Sequence, residues 1–97
     1  VGQQGARARM AWGLLRLMYR ARISGMADGD SAPMPFRQQD LADALGLSVV
    51  HTNKTLAALR SDGLATLRDR RLTIHDRAGL ERLVGAAVRE PETRPLI

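Results

Sequence analysis

Apolar residues in the first quarter of the chain recur at helical spacing, at Ala6, Met10, Leu14, Leu17, Met18 and Ala21. That period predicts a helix from about Ala6 to Ile23, behind a loose end at Val1–Gln4. Ser24–Pro35 (SGMADGDSAPMP) breaks the period with Gly, Ser, Asp and Pro and reads as a loop, with Met34–Phe36 expected to touch a small sheet edge. Helical spacing resumes in two short segments, Gln38–Leu45 and Val49–Asp62, joined by a turn at Gly46–Leu47. Ser48 is a good N-cap for the second, and Gly63 ends it as a C′ residue. Leu64–Arg68 and Arg71–His75 alternate instead, with Leu72 and Ile74 on one face and Arg71, Thr73 and His75 on the other. The two residues between them, Asp69 and Arg70, make a hairpin. Asp76 caps a last helix over Arg77–Val88, with Leu80, Leu83, Val84 and Ala87 inward. Arg89–Ile97, with two prolines, reads as a flexible C-terminal tail, which leaves one domain over 5–88.

Two short helices followed at once by an Arg-rich hairpin predict a mainly α fold with a small antiparallel β-hairpin, a winged helix-turn-helix. The spacing has physical reasons. Ala42 sits where the two helices cross, and only a small side chain lets them approach. Gly46 can take the left-handed conformation that the sharp turn requires. Leu41, Leu45 and Leu47 lock the pair onto the core, and Thr52, Leu56 and Leu59 form the inward stripe of the second helix. The helical step then turns Val49, Val50, Asn53, Lys54 and Ala57 outward.

An outward face that is slim and lightly charged suits the major groove of duplex DNA. Val49 and Val50 can meet thymine methyls, Asn53 can read adenine, and Lys54 can reach guanine acceptors or phosphate. The alternative is that both valines are buried and Asn53 is merely solvated. His51 is either a phosphate donor or an ordinary half-buried surface residue. Arg37 stands where a Ser, Thr or Asp cap is expected, which is unfavourable at a helix N-terminus unless an anion docks there. A docked phosphate would be clamped by Arg37, Gln38 and Gln39; otherwise Arg37 is simply exposed at a strand end. Arg68, Arg70 and Arg71, with Asp69 as the only counter-charge, can follow a phosphate strand or enter the minor groove, or else form a charged edge that discourages sheet pairing. Arg7, Arg9, Arg16, Arg20 and Arg22 are either a solvated helix face or a phosphate-contacting rim.

Composition narrows these choices. The 97 residues allow one modest core, and with 44% hydrophobic but only 3% aromatic residues it must be built from Leu, Ala, Val, Ile and Met. Fifteen Lys and Arg against ten acids give +5, which favours a polyanionic partner. The absence of Cys excludes disulfides and thiolate metal sites, and His51 and His75 have no carboxylate at metal spacing. No apolar run is long enough to span a bilayer and no signal peptide is visible. No nucleophile–base pairing or phosphate-cradling Gly loop points to an enzyme. The chain starts with Val and is taken as a piece of a longer protein or one trimmed at its N-terminus.

From about Pro35 to Leu83, through QQDLADALGLS, VVHTNKTL, LRSDGLATL and RLTIHD, the chain resembles the C-terminal DNA-binding domain of the Crp/Fnr (catabolite-activator type) transcription regulators, which the helix-turn-helix class includes. The resemblance implies a bacterial, cytoplasmic regulator whose N-terminal sensor of cyclic-nucleotide-binding type is absent here, so a cyclic nucleotide or other effector has no site in this chain. It implies DNA contact from Ser48 through Lys54, and a phosphate contact at Gln39. Expected partners are double-stranded DNA, RNA polymerase, and a second copy in the full-length parent, with the isolated domain mostly monomeric. Three departures stand out. Val49-Val50 replaces an Arg-Glu pair of the best-known members, so their DNA consensus does not transfer. Thr52 replaces a usual Val, and its hydroxyl needs a partner such as the carbonyl one turn back. The wing tip lacks the frequent Gly, which puts Asp69 in an unusual backbone conformation. The competing reading is a winged helix used only for protein contact or dimerisation, which calls for a broader apolar patch and fewer wing cations.

Overall fold

A computed structural model describes residues 2–88. The elements run α1 (Gly2–Ile23), β1 (Ser31–Pro33), α2 (Gln38–Leu45), α3 (Val49–Ser61), β2 (Ala65–Arg68), β3 (Arg71–Ile74) and α4 (Arg77–Val88). The tail expected over 89–97 lies outside the described residues. α1 already includes Gly2–Gln4, so the loose end expected there is not found in those three residues; no Pro interrupts the turn-to-turn hydrogen-bond ladder.

α1 is the spine of the core. Its buried stripe is Ala6, Ala8, Met10, Ala11, Leu14, Met18 and Ala21, and it packs against α4, α3, α2 and β1. Small residues set the approach: a Cβ on Gly13 would lie 3.1 Å from Leu45 Cδ2 of α2. Leu59, Leu72 and Leu80 complete the interior from α3, β3 and α4. Valine plays less part than composition implied, since Val84 at the edge is the only Val packed on this core among the described residues. Leu83 is half-buried like Val84, and the side chain of Ala87 is outside the described set.

The wing is a three-stranded antiparallel sheet in the order β1-β3-β2, one strand more than a hairpin. β1 lies at Ser31–Pro33 rather than Met34–Phe36, with Ala32 opposite Leu72. Pairing stops early because Pro35 has no N–H to offer; the last backbone bond runs from Met34 N–H to Arg70 O, at 2.7 Å. Pro33 is tolerated because β1 is an edge strand. At the hairpin tip both residues are left-handed, Asp69 at φ 53° and Arg70 at φ 59°, where only Asp69 was expected to be. A two-residue loop that matches strand twist needs positive φ at both positions, so neither can be spared.

Candidate nucleic-acid interface

Local chemistry holds α2 and α3 at a fixed angle. Gly46, at φ 70°, ends α2, and the N–H of Leu47 reaches back to Ala42 O at 2.9 Å. Arg9 of α1 donates from Nη1 to Leu45 O at 3.1 Å, capping the carbonyl end of α2 with a cation. Leu41, Ala42 and Leu45 are buried as expected. The Ser48 hydroxyl accepts the N–H of His51 at 3.0 Å, starting α3. Gly63, at φ 72°, stops it, with Leu64 N–H bonded to Leu59 O at 2.9 Å. Asp76 likewise caps α4, taking the Gly79 N–H at 3.0 Å.

The misfit at Arg37 is resolved by a residue that sequence reasoning overlooked. Arg37 N–H donates to the Asp40 carboxylate at 3.0 Å, so the first turn of α2 carries its own anion. The arginine side chain, with no acceptor, contributes no reciprocal bond. The signal was legible as an acid three residues after the cap.

On α3, Thr52, Thr55 and Leu59 are buried and Leu56 is half-buried. The other face carries Val50, 66% exposed, with Asn53, Lys54 and Ala57 also exposed. Val49 is half-buried, so only part of it faces out. Thr52 departs from expectation. Its hydroxyl is enclosed with no partner, and Thr55 instead makes the bond one turn back, to His51 O at 2.8 Å. The χ1 of a β-branched residue is set by packing, and a Thr at the centre of the core need not point at its own helix.

Around this helix stand the backbone-contact candidates. Arg37, Gln38, Gln39 and Ser48 are exposed and His51 is half-buried. Gln39 already donates to Asp43 Oδ1 at 3.0 Å. Arg68, Arg70 and Arg71 are exposed at the wing, but Arg71 Nε is tied to Ser31 Oγ at 2.7 Å. The second histidine, His75, is occupied across the strands by the Thr66 hydroxyl at 3.2 Å from its Nε2. Among the described residues no cluster of three His, Cys, Asp or Glu could hold a metal ion, and no helix is long and apolar enough to cross a membrane.

Alongside α3 runs a groove of about 370 Å³, lined by Ser48, Val50, His51 and Lys54 of the helix and its cap, and by Arg7 of α1. Four of the five arginines of α1 have separate partners. Arg9 caps α2, Arg16 lies 5.5 Å from the Trp12 ring centroid, Arg22 pairs with Asp30 at 2.7 Å, and Arg7 pairs with Asp62 at 3.2 Å.

The same arrangement of elements occurs in known proteins. Residues 8–83 match the family described as the Crp-like helix-turn-helix domain. The chain belongs to the Crp/Fnr family. This Crp-like domain is 31% identical over 84 residues to the nitrogen fixation regulation protein FixK of Azorhizobium caulinodans, a match covering 86% of the chain and 34% of that protein. Among solved structures it is similar to FixK2 from Bradyrhizobium japonicum, with TM-score 0.69 and 25% identity over 80% of the chain and 37% of that one. It is also similar to the catabolite activator protein of Thermus thermophilus, with TM-score 0.68 and 25% identity over 87% of the chain and 36% of that one. The Crp-like domain thus spans about a third of the length of these relatives. It is a helix-turn-helix domain of the DNA-binding kind carried by Crp/Fnr transcription regulators.

Proposed function

We propose that the domain binds duplex DNA sequence-specifically, with α3 in the major groove and the wing over 64–75 on the sugar–phosphate backbone. The observation that carries this is the free face of α3. Val50, Asn53 and Lys54 project from a helix held at both ends, and no other element covers them. With the exposed part of Val49, they are the base-reading set. Arg37, Gln38, Gln39, Ser48, His51, Arg68, Arg70 and Arg71 are the backbone set. Of these, Gln39 and Arg71 must share their existing bonds. The hydroxyl of Ser48 accepts from His51 N–H and keeps its own proton for a phosphate oxygen.

A module for protein contact alone is less well supported. The other large exposed apolar residues, Trp12, Tyr19, Ile23 and Met26, lie on α1 and the loop that follows it, away from α3. In the longer parent, an effector such as a cyclic nucleotide would act through a separate sensor, two copies would read a two-fold symmetric site in the cytoplasm, and RNA polymerase would be a further partner.

Selection from a random duplex pool tests the reading, followed by affinities of Lys54→Ala. A consensus should emerge, and the variant should lose about 1–3 kcal/mol on the selected site and change base preference. Unselective binding, or an unchanged variant, would show that α3 does not read bases.

A further inference from the structure

We infer that Arg7 is a DNA-phosphate contact held in reserve by Asp62, so that Asp62 acts as an internal competitor for the DNA backbone. The inference rests on the DNA-binding reading above. Three observations lead to it. Arg7 lines the groove together with Ser48, His51 and Lys54, although 41 residues of sequence separate it from Ser48 (48 − 7). A phosphate entering this groove would therefore meet the Arg7 guanidinium as well as Lys54. Arg7 is not free, however: its Nη1 lies 3.2 Å from Asp62 Oδ2, and the two side chains are 35% and 49% exposed. Asp62 immediately follows α3, so this carboxylate travels with the recognition helix and stays within reach of Arg7.

An exposed ion pair of this kind is weak and screened by salt. A phosphodiester offers the guanidinium a charge-assisted, bidentate alternative. On DNA binding Arg7 exchanges one anion for the other, and Asp62 is left near the phosphates with its partner shared or lost. Without DNA, Asp62 neutralises the cation at the groove mouth. Because the exchange involves no base edge, it sets affinity evenly across sequences.

The test is a double-mutant cycle in duplex affinity, read by anisotropy of a labelled random-sequence duplex over a series of salt concentrations. Asp62→Asn should tighten binding about three- to fivefold at low salt, with the gain fading as salt rises. Arg7→Ala should weaken binding severalfold and flatten the log–log salt slope by about 0.9, the value for one lost phosphate contact. In the Arg7→Ala background, Asp62→Asn should lose most of its gain. Thermal melts of each variant separate misfolding from lost contact, and Arg7→Lys, which keeps the charge, should retain most of the binding.

Lys54→Ala and Arg70→Ala report on the underlying reading. If both bind this duplex as wild type does, DNA binding by this face is itself wrong, and the inference falls with it. If they weaken binding, the inference is overturned on its own by an Asp62→Asn variant that gains nothing, or that gains equally whether or not Arg7 is present, since either result reduces Asp62 to a general surface charge.

Discussion

Thr52 and Arg70 both stand in positions their chemistry does not favour, for different reasons. The Thr52 hydroxyl is enclosed without a partner, and a buried unsatisfied hydroxyl costs about 1–3 kcal/mol. Thr52→Val keeps the shape and removes the orphan, so it should raise stability by about 1 kcal/mol in denaturant melts; a destabilised variant would reveal a partner for the hydroxyl. Arg70, at φ 59°, pays for a conformation that suits Gly. Arg70→Gly should relieve about 1 kcal/mol of that strain and stabilise the domain. The same substitution removes a wing cation, so duplex affinity should fall and the salt slope should flatten by about 0.9. Stability and binding moving in opposite directions would mark the strained tip as a functional feature; moving together, they would make it only a structural one.

At the scale of elements, the helix ends carry most of the specification, and α4 shows how closely packing constrains one of them. Gly79 lies in the first turn of α4, where Ala is intrinsically better by about 1 kcal/mol. A Cβ there would collide with the Leu64 side chain and lie 2.7 Å from Asp76 Oδ2, the cap of the same helix. Gly79→Ala should therefore destabilise the domain by roughly 1–3 kcal/mol despite the gain in propensity, as overpacking does. An increase in melting temperature would mean that Leu64 repacks at no cost. By contrast a Cβ added at Gly46 would find open space, with Arg9 Nη1 its nearest neighbour at 3.9 Å, so the requirement there is set by the left-handed backbone. Sequence spacing revealed that requirement, whereas the crowding at Gly79 depends on a leucine 15 residues earlier (79 − 64).

For the whole molecule, the charge balance and the arrangement of faces favour a weakly binding single copy. Trp12, Tyr19 and Ile23 are exposed along α1, but Arg16 and Arg20 lie among them. A second copy on the same face would set like charges against each other. Sedimentation at micromolar concentration should give the mass of one chain. A tight dimer would overturn that expectation and make α1 a self-association surface.

Local rules made much of this protein legible from its residues. The helical and alternating periods, the hydroxyl of Ser48, the carboxylate of Asp76 and the left-handed glycines at 46 and 63 act within about one helical turn, so neighbours in sequence suffice to place them. The outward turn of Val50, Asn53 and Lys54 follows from the same geometry once Thr52 and Leu59 are known to face in. What only the tertiary structure decided depends on contacts between segments far apart in the chain. The third strand pairs Ala32 with Leu72, Arg9 caps a helix 36 residues away, and Arg7 is committed to Asp62 across 55. Which arginine is free and which is occupied is a property of how the helices pack, and no periodicity encodes it.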